Sequence, residues 1–394
     1  MNILITGAKG FLGKNLTAAL LARAEARDLT LFPADVDTPG LRAACQTADF
    51  VYHLAGVNRP EQDEDFQRGN ADLTAQVLDW LREGRCPPVA LSSSIQAALD
   101  NPYGRSKRAS EDAARAYQDA TGAPVYIYRL PNAFGKWSRP NYNSAVATFC
   151  HNIARDLPIQ VSDPAARLRL VYIDDIVDEF LRALDGSPTR EGGFCAARPE
   201  RETTLGELTE LLRRFHAGRD NLDLVDQSDP FVRKLYATYL SFLPADDFAR
   251  PAARHSDERG SFTELLHMEG HGQISVNIAK PGVTKGQHWH HTKHEKFAVL
   301  SGKGVIRFRQ VDDGEVLAYK VSGDSPTVVD IPPGYTHSIE NLGESDLVTL
   351  MWANERFDPA RPDTFPLPVI VKPPQNRHDQ ADLFSPGGVA LRST

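Results

Sequence analysis

The chain has 394 residues, too many for one small module and enough for two domains. With 41% hydrophobic and 24% charged residues it belongs with packed globular chains rather than disordered or fibrous ones. A formal net charge of −8 leaves no overall basic field for nucleic acid or an anionic membrane, so any phosphate site must be local. No apolar run has the roughly 18 residues of a spanning helix, and the N-terminus enters an apolar strand at once; a cytoplasmic location is expected. Cys45, Cys86, Cys150 and Cys195 stand far apart without a CxxC pair, which points to reduced thiols rather than a disulfide or zinc framework.

In chain order, short aliphatic and β-branched runs at 3–6, 50–54, 89–91 and 125–130 alternate with helical stretches such as 73–81 and 110–120. This rhythm predicts a doubly wound parallel α/β sheet. Helical patterns follow at 205–215 and 231–242. From about Asp257 the pattern becomes short alternating strands between Gly and Pro turns, which predicts an all-β barrel or double-sheet roll. The expected organisation is a first domain over 1–245, a linker over 246–256, a second domain over 257–358, and a tail over 359–394. Seven prolines between Pro359 and Pro386 make that tail a strap or a loose end.

Directly after the first strand come Gly7, Gly10 and Gly13, opening a helix. Glycines there allow a tight turn and a close approach of backbone N–H groups to a pyrophosphate, beside the positive end of the helix dipole. Asp35, near the end of the second strand, is placed to accept hydrogen bonds from an adenosine ribose, which favours NAD; an exposed loop acid beside Asp37 is the competing reading. Tyr103 and Lys107 share one helix face, nine residues after the run Ser92-Ser93-Ser94. An ammonium there lowers the phenol's pKa, a serine hydroxyl holds a carbonyl oxygen, and the phenol becomes the proton donor. Ser94 is the expected serine, with Ser93 as runner-up.

These residues resemble the extended short-chain dehydrogenase/reductase superfamily, whose Ser-Tyr-Lys triad acts on a carbonyl or alcohol beside nicotinamide. The resemblance extends over most of 1–245. It implies that Leu54, Ala55 and Gly56 of FVYHLAG line the cofactor, and that Asn132 of YRLPNAFG lies beside a nucleotide-sugar phosphate. His53 is better read as a satisfied core histidine. The family's phosphate-binding arginine falls at Leu168, leaving Arg167 and Arg169 as the candidates.

Residues 255–337 hold eight of the twelve histidines. His288 and His290 point to one face of a strand, and Glu295 and His337 from neighbouring strands complete a three-His, one-carboxylate shell suited to a divalent metal, with zinc the expected ion. A metal-free sugar pocket is the competing reading, and His291 and His294 are read as solvated or supporting. The spacing resembles the cupin family, although Pro326 replaces the leading glycine of its second motif. The segment DERGSFTE (257–264) resembles the opening of metal-free dTDP-sugar 3,5-epimerases.

Together the halves resemble the bifunctional CapF/WbjC family, through SSSIQAALDNPYG, FGKWSRPNYNS and KPGVTKGQHWHHTKHEKF. The resemblance implies a Rossmann-like domain followed by a cupin jelly roll. It implies that the cupin epimerises C3 of a UDP-2-acetamido-2,6-dideoxy-4-hexulose and that the first domain reduces the C4 ketone with NADPH, on the route to UDP-N-acetyl-L-fucosamine for capsule or O-antigen. FPADVD at 32–37 lacks the arginine that usually holds the extra cofactor phosphate, so NADH is the rival and Lys9 or Lys14 the expected substitutes. His291, Tyr335 and Lys296 are candidate bases of the cupin. Expected partners are a UDP-sugar and a second copy of the chain as a homodimer, with no nucleic acid or membrane. Two other readings are a reductase whose cupin serves only oligomerisation or binding, and a non-catalytic sugar-nucleotide sensor, which would have no need of the triad.

Overall fold

The computed structural model describes residues 1–27, 30–34, 40–312, 314–370 and 390–391. It divides into two compact units: Met1–His216 with Gln227–Phe248, and Ala217–Asp226 with the chain from Ala249 onward. Residues 217–226, assigned by sequence to the first domain, belong to the second because Asp223–Leu224 pairs in parallel with His267–Met268.

The first unit contains β1 (Asn2–Thr6), β2 (Thr30–Ala34), β3 (Phe50–His53), β4 (Val89–Ser94), β5 (Val125–Leu130), β6 (Asn132–Phe134), β7 (Arg167–Tyr172), β8 (Arg190–Glu191), β9 (Phe194–Cys195) and β10 (Glu200–Thr204). The main sheet runs β2-β1-β3-β4-β5-β9-β8, with a smaller sheet β10-β7-β6. Alternate residues feed two cores. Ile3 and Ile5 join Tyr52, Tyr128 and Phe180 on one face, and Leu4 joins Val51, Leu91 and Ile127 on the other. Burial on both faces is why these strands read as unbroken apolar runs. From β1 the chain goes to β2 on one side and then to β3 on the other, which opens a crevice at the carboxyl ends of β1 and β3. No described helix is long and apolar enough to cross a membrane.

The second unit contains β11 (Asp223–Leu224), β12 (Arg254–Asp257), β13 (Gly260–Met268), β14 (Gly272–Ala279), β15 (Thr284–Trp289), β16 (Glu295–Ser301), β17 (Lys303–Gln310), β18 (Val316–Ser322), β19 (Val328–Ile331), β20 (Tyr335–Asn341), β21 (Leu347–Ala353), β22 (Phe365–Pro366) and β23 (Ala390–Leu391). They form two sheets, β11-β13-β14-β21-β16-β19 with β12 beside β13, and β22-β15-β20-β17-β18-β23. Phe297 and Val299 from the first meet Ile306, Phe308 and Ile339 from the second, and this shared core makes the unit a double-sheet roll. Residues 365–369 strap the second sheet: β22 pairs with β15, Thr336 donates to the Leu367 carbonyl, and Val369 is fully buried.

Candidate active site and metal centre

At the end of β1, Gly7 adopts φ +70°, and a Cβ there would lie 2.7 Å from the Ala55 nitrogen. A Cβ on Gly13 would lie 2.2 Å from the Gly7 carbonyl oxygen. Both positions therefore demand glycine, and the helix Phe11–Arg27 starts tight against the strand ends. Its N-terminus opens on a groove of about 730 Å3 lined by Gly7, Gly10, Gly13, Leu54 and Gly56. Ala55 packs behind the loop, its N–H donating to Thr6 Oγ1 at 3.3 Å. This backbone cradle beside a helix N-terminus fits a dinucleotide pyrophosphate. Asp35 lies outside the described residues. His53 is buried between Thr6 Oγ1 (2.8 Å) and Thr74 Oγ1 (3.0 Å), a satisfied core histidine held neutral by burial.

The same groove receives Ser94, Tyr103 and Lys107. Ser94 ends β4, its Oγ accepting the Gln96 N–H at 3.1 Å. Tyr103 and Lys107 lie on the helix Pro102–Thr121, which Asn101 caps by accepting the Gly104 N–H at 2.7 Å. Lys107 is buried and donates to the Ser92 carbonyl at 2.7 Å. Burial lowers its pKa to about 8, against the pull of the Glu111 carboxylate. Burial pushes the Tyr103 phenol up, opposed by the neighbouring Ser94 hydroxyl. Ser93 donates to Glu111 Oε1 at 2.5 Å, which leaves Ser94 as the serine of the groove beside the phenol, while the phenol donates to Asn58 Oδ1 at 3.2 Å. Asn70 joins the loop after β3 to the triad helix, accepting from Val57 N–H and donating to Val57 O and Ser106 Oγ.

Farther along the groove, Asn132 lines the wall and donates to the Arg169 carbonyl at 3.3 Å. The two candidate arginines do not line it. On β7, Leu168 and Leu170 face the groove, and strand alternation turns Arg167 and Arg169 away. Arg169 instead pairs with Glu200 at 2.5 Å. The lining guanidinium is Arg139, 4.9 Å over the Tyr142 ring, beside Trp137. Arg139 lies inside FGKWSRPNYNS, and its clustering with aromatics was the available signal.

In the second unit, His288, His290, Glu295 and His337 present donor atoms that all lie within 4.8 Å of one another. His288 and His337 are cross-strand partners on β15 and β20. Glu295 Oε2 is 3.4 Å from His290 Nε2 and 3.5 Å from His337 Nε2. Metal–ligand bonds of roughly 2.0–2.1 Å set tetrahedral donors about 3.4 Å apart. His290 Nε2 and Glu295 Oε2 are buried without hydrogen-bond partners among the described residues, a deficit that a cation at the centre would relieve. Burial, helped by the neighbouring imidazoles, lowers the His288 pKa to about 4, leaving a neutral ligand at pH 7. Burial alone would raise the Glu295 carboxyl, but His290 and His337 outweigh it and hold the group well below the usual range. The donor set thus fits a divalent metal.

Supporting contacts come from residues the sequence reading placed in the tail. The Asp363 carbonyl accepts from His290 Nδ1–H, which leaves Nε2 with its lone pair toward the centre. The Asp363 carboxylate accepts N–H groups of His291, Thr292 and Lys293, each at 2.9 Å, fixing the turn between β15 and β16. Burial would raise its pKa, but those backbone bonds hold it well below the carboxylate range.

Comparison with known proteins agrees with both halves. The NAD dependent epimerase/dehydratase family matches residues 3–192, and the polysaccharide biosynthesis C-terminal domain matches residues 255–365. A UDP-2-acetamido-2,6-beta-L-arabino-hexul-4-ose reductase of Pseudomonas aeruginosa is 45% identical over 366 residues, 93% of this chain and 98% of its own. The crystal structure of capsular polysaccharide assembling protein CapF from Staphylococcus aureus superposes with TM-score 0.88 at 53% identity, covering 93% of this chain and 100% of its own. The chain belongs to the CapF/WbjC family. A CapF structure with the inhibitor 3-isopropenyl-tropolone, at TM-score 0.83 and 49% identity, also covers 93% of this chain and 100% of its own.

Family membership does not supply the base of the second site, and the three candidates from sequence stand elsewhere. His291 packs between Trp289 and Phe365, and Lys296 is ion-paired with Asp330. Tyr335 packs against the roll's core. None of the three lines the cavity of about 340 Å3 that contains the histidine cluster.

Proposed function

We propose that the chain is a two-site nucleotide-sugar enzyme: the β roll inverts C3 of a UDP-2-acetamido-2,6-dideoxy-4-hexulose, and the first unit then reduces the C4 ketone. The observation that carries the reading is the presence of two built sites in one chain, a Ser-Tyr-Lys groove and a buried His3Glu cluster. The chemistry joins them. A ketone at C4 makes the C3 hydrogen acidic, and reduction of that ketone removes the acidifying group and fixes the new centre.

In the groove, a bound nicotinamide dinucleotide would supply hydride to C4. Ser94 holds the C4 oxygen, and Tyr103 gives it a proton as the carbonyl electron pair moves onto oxygen. Lys107 keeps a positive charge beside the nicotinamide ribose. Asn132 and Arg139 hold the sugar-nucleotide phosphates. NADPH is the proposed reductant, with Lys9 and Lys14 of the groove as the cations for its extra phosphate.

In the roll, His288, His290, Glu295 and His337 would hold a divalent metal, zinc in our reading, that polarises the keto oxygen as a Lewis acid. Tropolones carry adjacent ketone and hydroxyl oxygens suited to chelation, so inhibition of a related CapF by one supports a metal in this chemistry. We further propose that the enzyme acts as a homodimer.

The test incubates the enzyme with a UDP-4-keto-6-deoxy-N-acetylhexosamine in heavy water without reductant and follows C3 by NMR. Deuterium should enter C3, and chelation should stop it. Wild-type reduction of the ketone with C3 hydrogen and configuration unchanged would refute the two-site reading.

A further inference from the structure

We propose that Glu264 is the proton acceptor of the β-roll cavity, with buried His267 and Asp223 positioning it; this rests on the C3-epimerase reading above. Inverting a carbon next to a ketone needs a group that takes the C3 proton. The cavity's own residues narrow the choice. His288, His290, Glu295 and His337 turn their lone pairs toward one another. Lys285 donates to Asn277 Oδ1 (2.9 Å), Ile278 O (2.8 Å) and Ser261 O (3.4 Å), so its three N–H bonds are engaged and its ammonium has no lone pair. Lys293 is an ammonium 5.7 Å above the Phe357 ring and offers only donors. Glu264 is the remaining carboxylate among the described residues of the lining.

The backbone is built to aim it. The pairing of β13 with β14 slips between Glu264 and Leu266. The bulge turns Leu265 outward, 43% exposed, while Glu264 faces the cavity. Behind it, His267 is buried, with Nδ1 3.2 Å from Asp223 Oδ1 and Nε2 3.6 Å from Glu264 Oε2. The parallel pairing of β11 with β13 puts Asp223 opposite His267, and Arg356 lies 3.5 Å from the same carboxylate oxygen. Nε2 has no hydrogen-bond partner among the described residues. In the tautomer that donates Nδ1–H to Asp223, Nε2 turns a lone pair toward the Glu264 carboxylate, and the two stand just beyond bonding distance. A proton on Glu264 turns this opposition into an O–H···N hydrogen bond, a stabilisation available only after the carbon has released its proton.

The step balances. Glu264 takes hydrogen from C3 as a proton, the C–H pair becomes the C3=C4 bond, and the carbonyl pair moves onto oxygen as an enolate. The pair then returns as water delivers a proton to the opposite face of C3, and the hydroxide left behind takes the proton from Glu264, which restores the carboxylate and a water molecule.

The test measures C3 deuterium uptake from heavy water, without reductant, by full-length enzyme on the keto sugar nucleotide. Glu264→Gln should lower kcat for exchange by about a hundredfold or more. Its bound metal and its reduction of a ketone already inverted at C3 should match wild type, which shows that both sites are folded. Glu264→Asp should recover part of the rate. His267→Gln should lower kcat, alter the pH profile of exchange, and leave KM close to wild type. Exchange by Glu264→Gln at the wild-type rate, or a loss confined to KM, overturns the assignment alone. A wild-type enzyme that never exchanges C3 overturns the epimerase reading and the assignment with it.

Discussion

The two sites differ in how their polar groups are satisfied. In the groove, Lys107 bonds to the Ser92 carbonyl, Ser94 to Gln96 and Tyr103 to Asn58, so the triad is held by the protein's own hydrogen bonds. In the roll, His290 Nε2 and Glu295 Oε2 are buried without hydrogen-bond partners among the described residues. A site that completes its own bonds is ready to bind and release a diffusible cofactor. One that buries unpaired ligand atoms is suited to a resident ion.

The largest expected separation comes from the phenol. Tyr103→Phe should lower kcat for ketone reduction by about a hundredfold or more while C3 exchange continues at the wild-type rate, as NMR and cofactor absorbance would show. The roll's counterpart is Asp363→Ala, which frees the turn before Glu295. Its metal affinity, measured by competition with a chelating dye, should fall roughly 10–100-fold with reductase activity unchanged. Within the groove, Arg139→Ala should raise KM for the UDP-sugar about tenfold, the equivalent of one lost charge-assisted contact, while Arg169→Ala should leave KM near wild type. Equal effects of the two would show that Leu168's strand had been read on the wrong face.

The smallest test is pH. Lys107, lowered to about 8, carries its charge below that value and loses it above. Reductase kcat should therefore fall as pH rises past about 8, and exchange in the roll should not share that limb. A reductase rate that climbs through this range would remove Lys107's charge from the mechanism.

Much of this was legible from residue type and spacing. Gly13 is a glycine for a steric reason that acts within a few residues, against Gly7 and Ala8, and Ser94, Tyr103, Lys107, His288, Glu295 and His337 lie on elements whose periodicity the sequence displays. What was hidden depended on distant pairing. Strand alternation puts Leu168, not its neighbouring arginines, in the groove, but which face of β7 meets the groove is fixed by β6 and β10. Asp363 lies in a proline-rich stretch that reads as a tail, and its role appears only when β22 pairs with β15. Glu264 owes its aim to a bulge, and Asp223 reaches His267 through a two-residue strand too short to show periodicity.

The central claim is that one ketone is handled at two separable sites, and complementation tests it most directly. Tyr103→Phe and His288→Ala enzymes, each supplied with the 4-keto sugar nucleotide, NADPH and zinc, should separately fail to make the C3-inverted alcohol. Mixed together they should make it, with deuterium at C3 when the solvent is heavy water. Formation of that product by His288→Ala alone, or a mixture as inactive as its parts, would contradict the account.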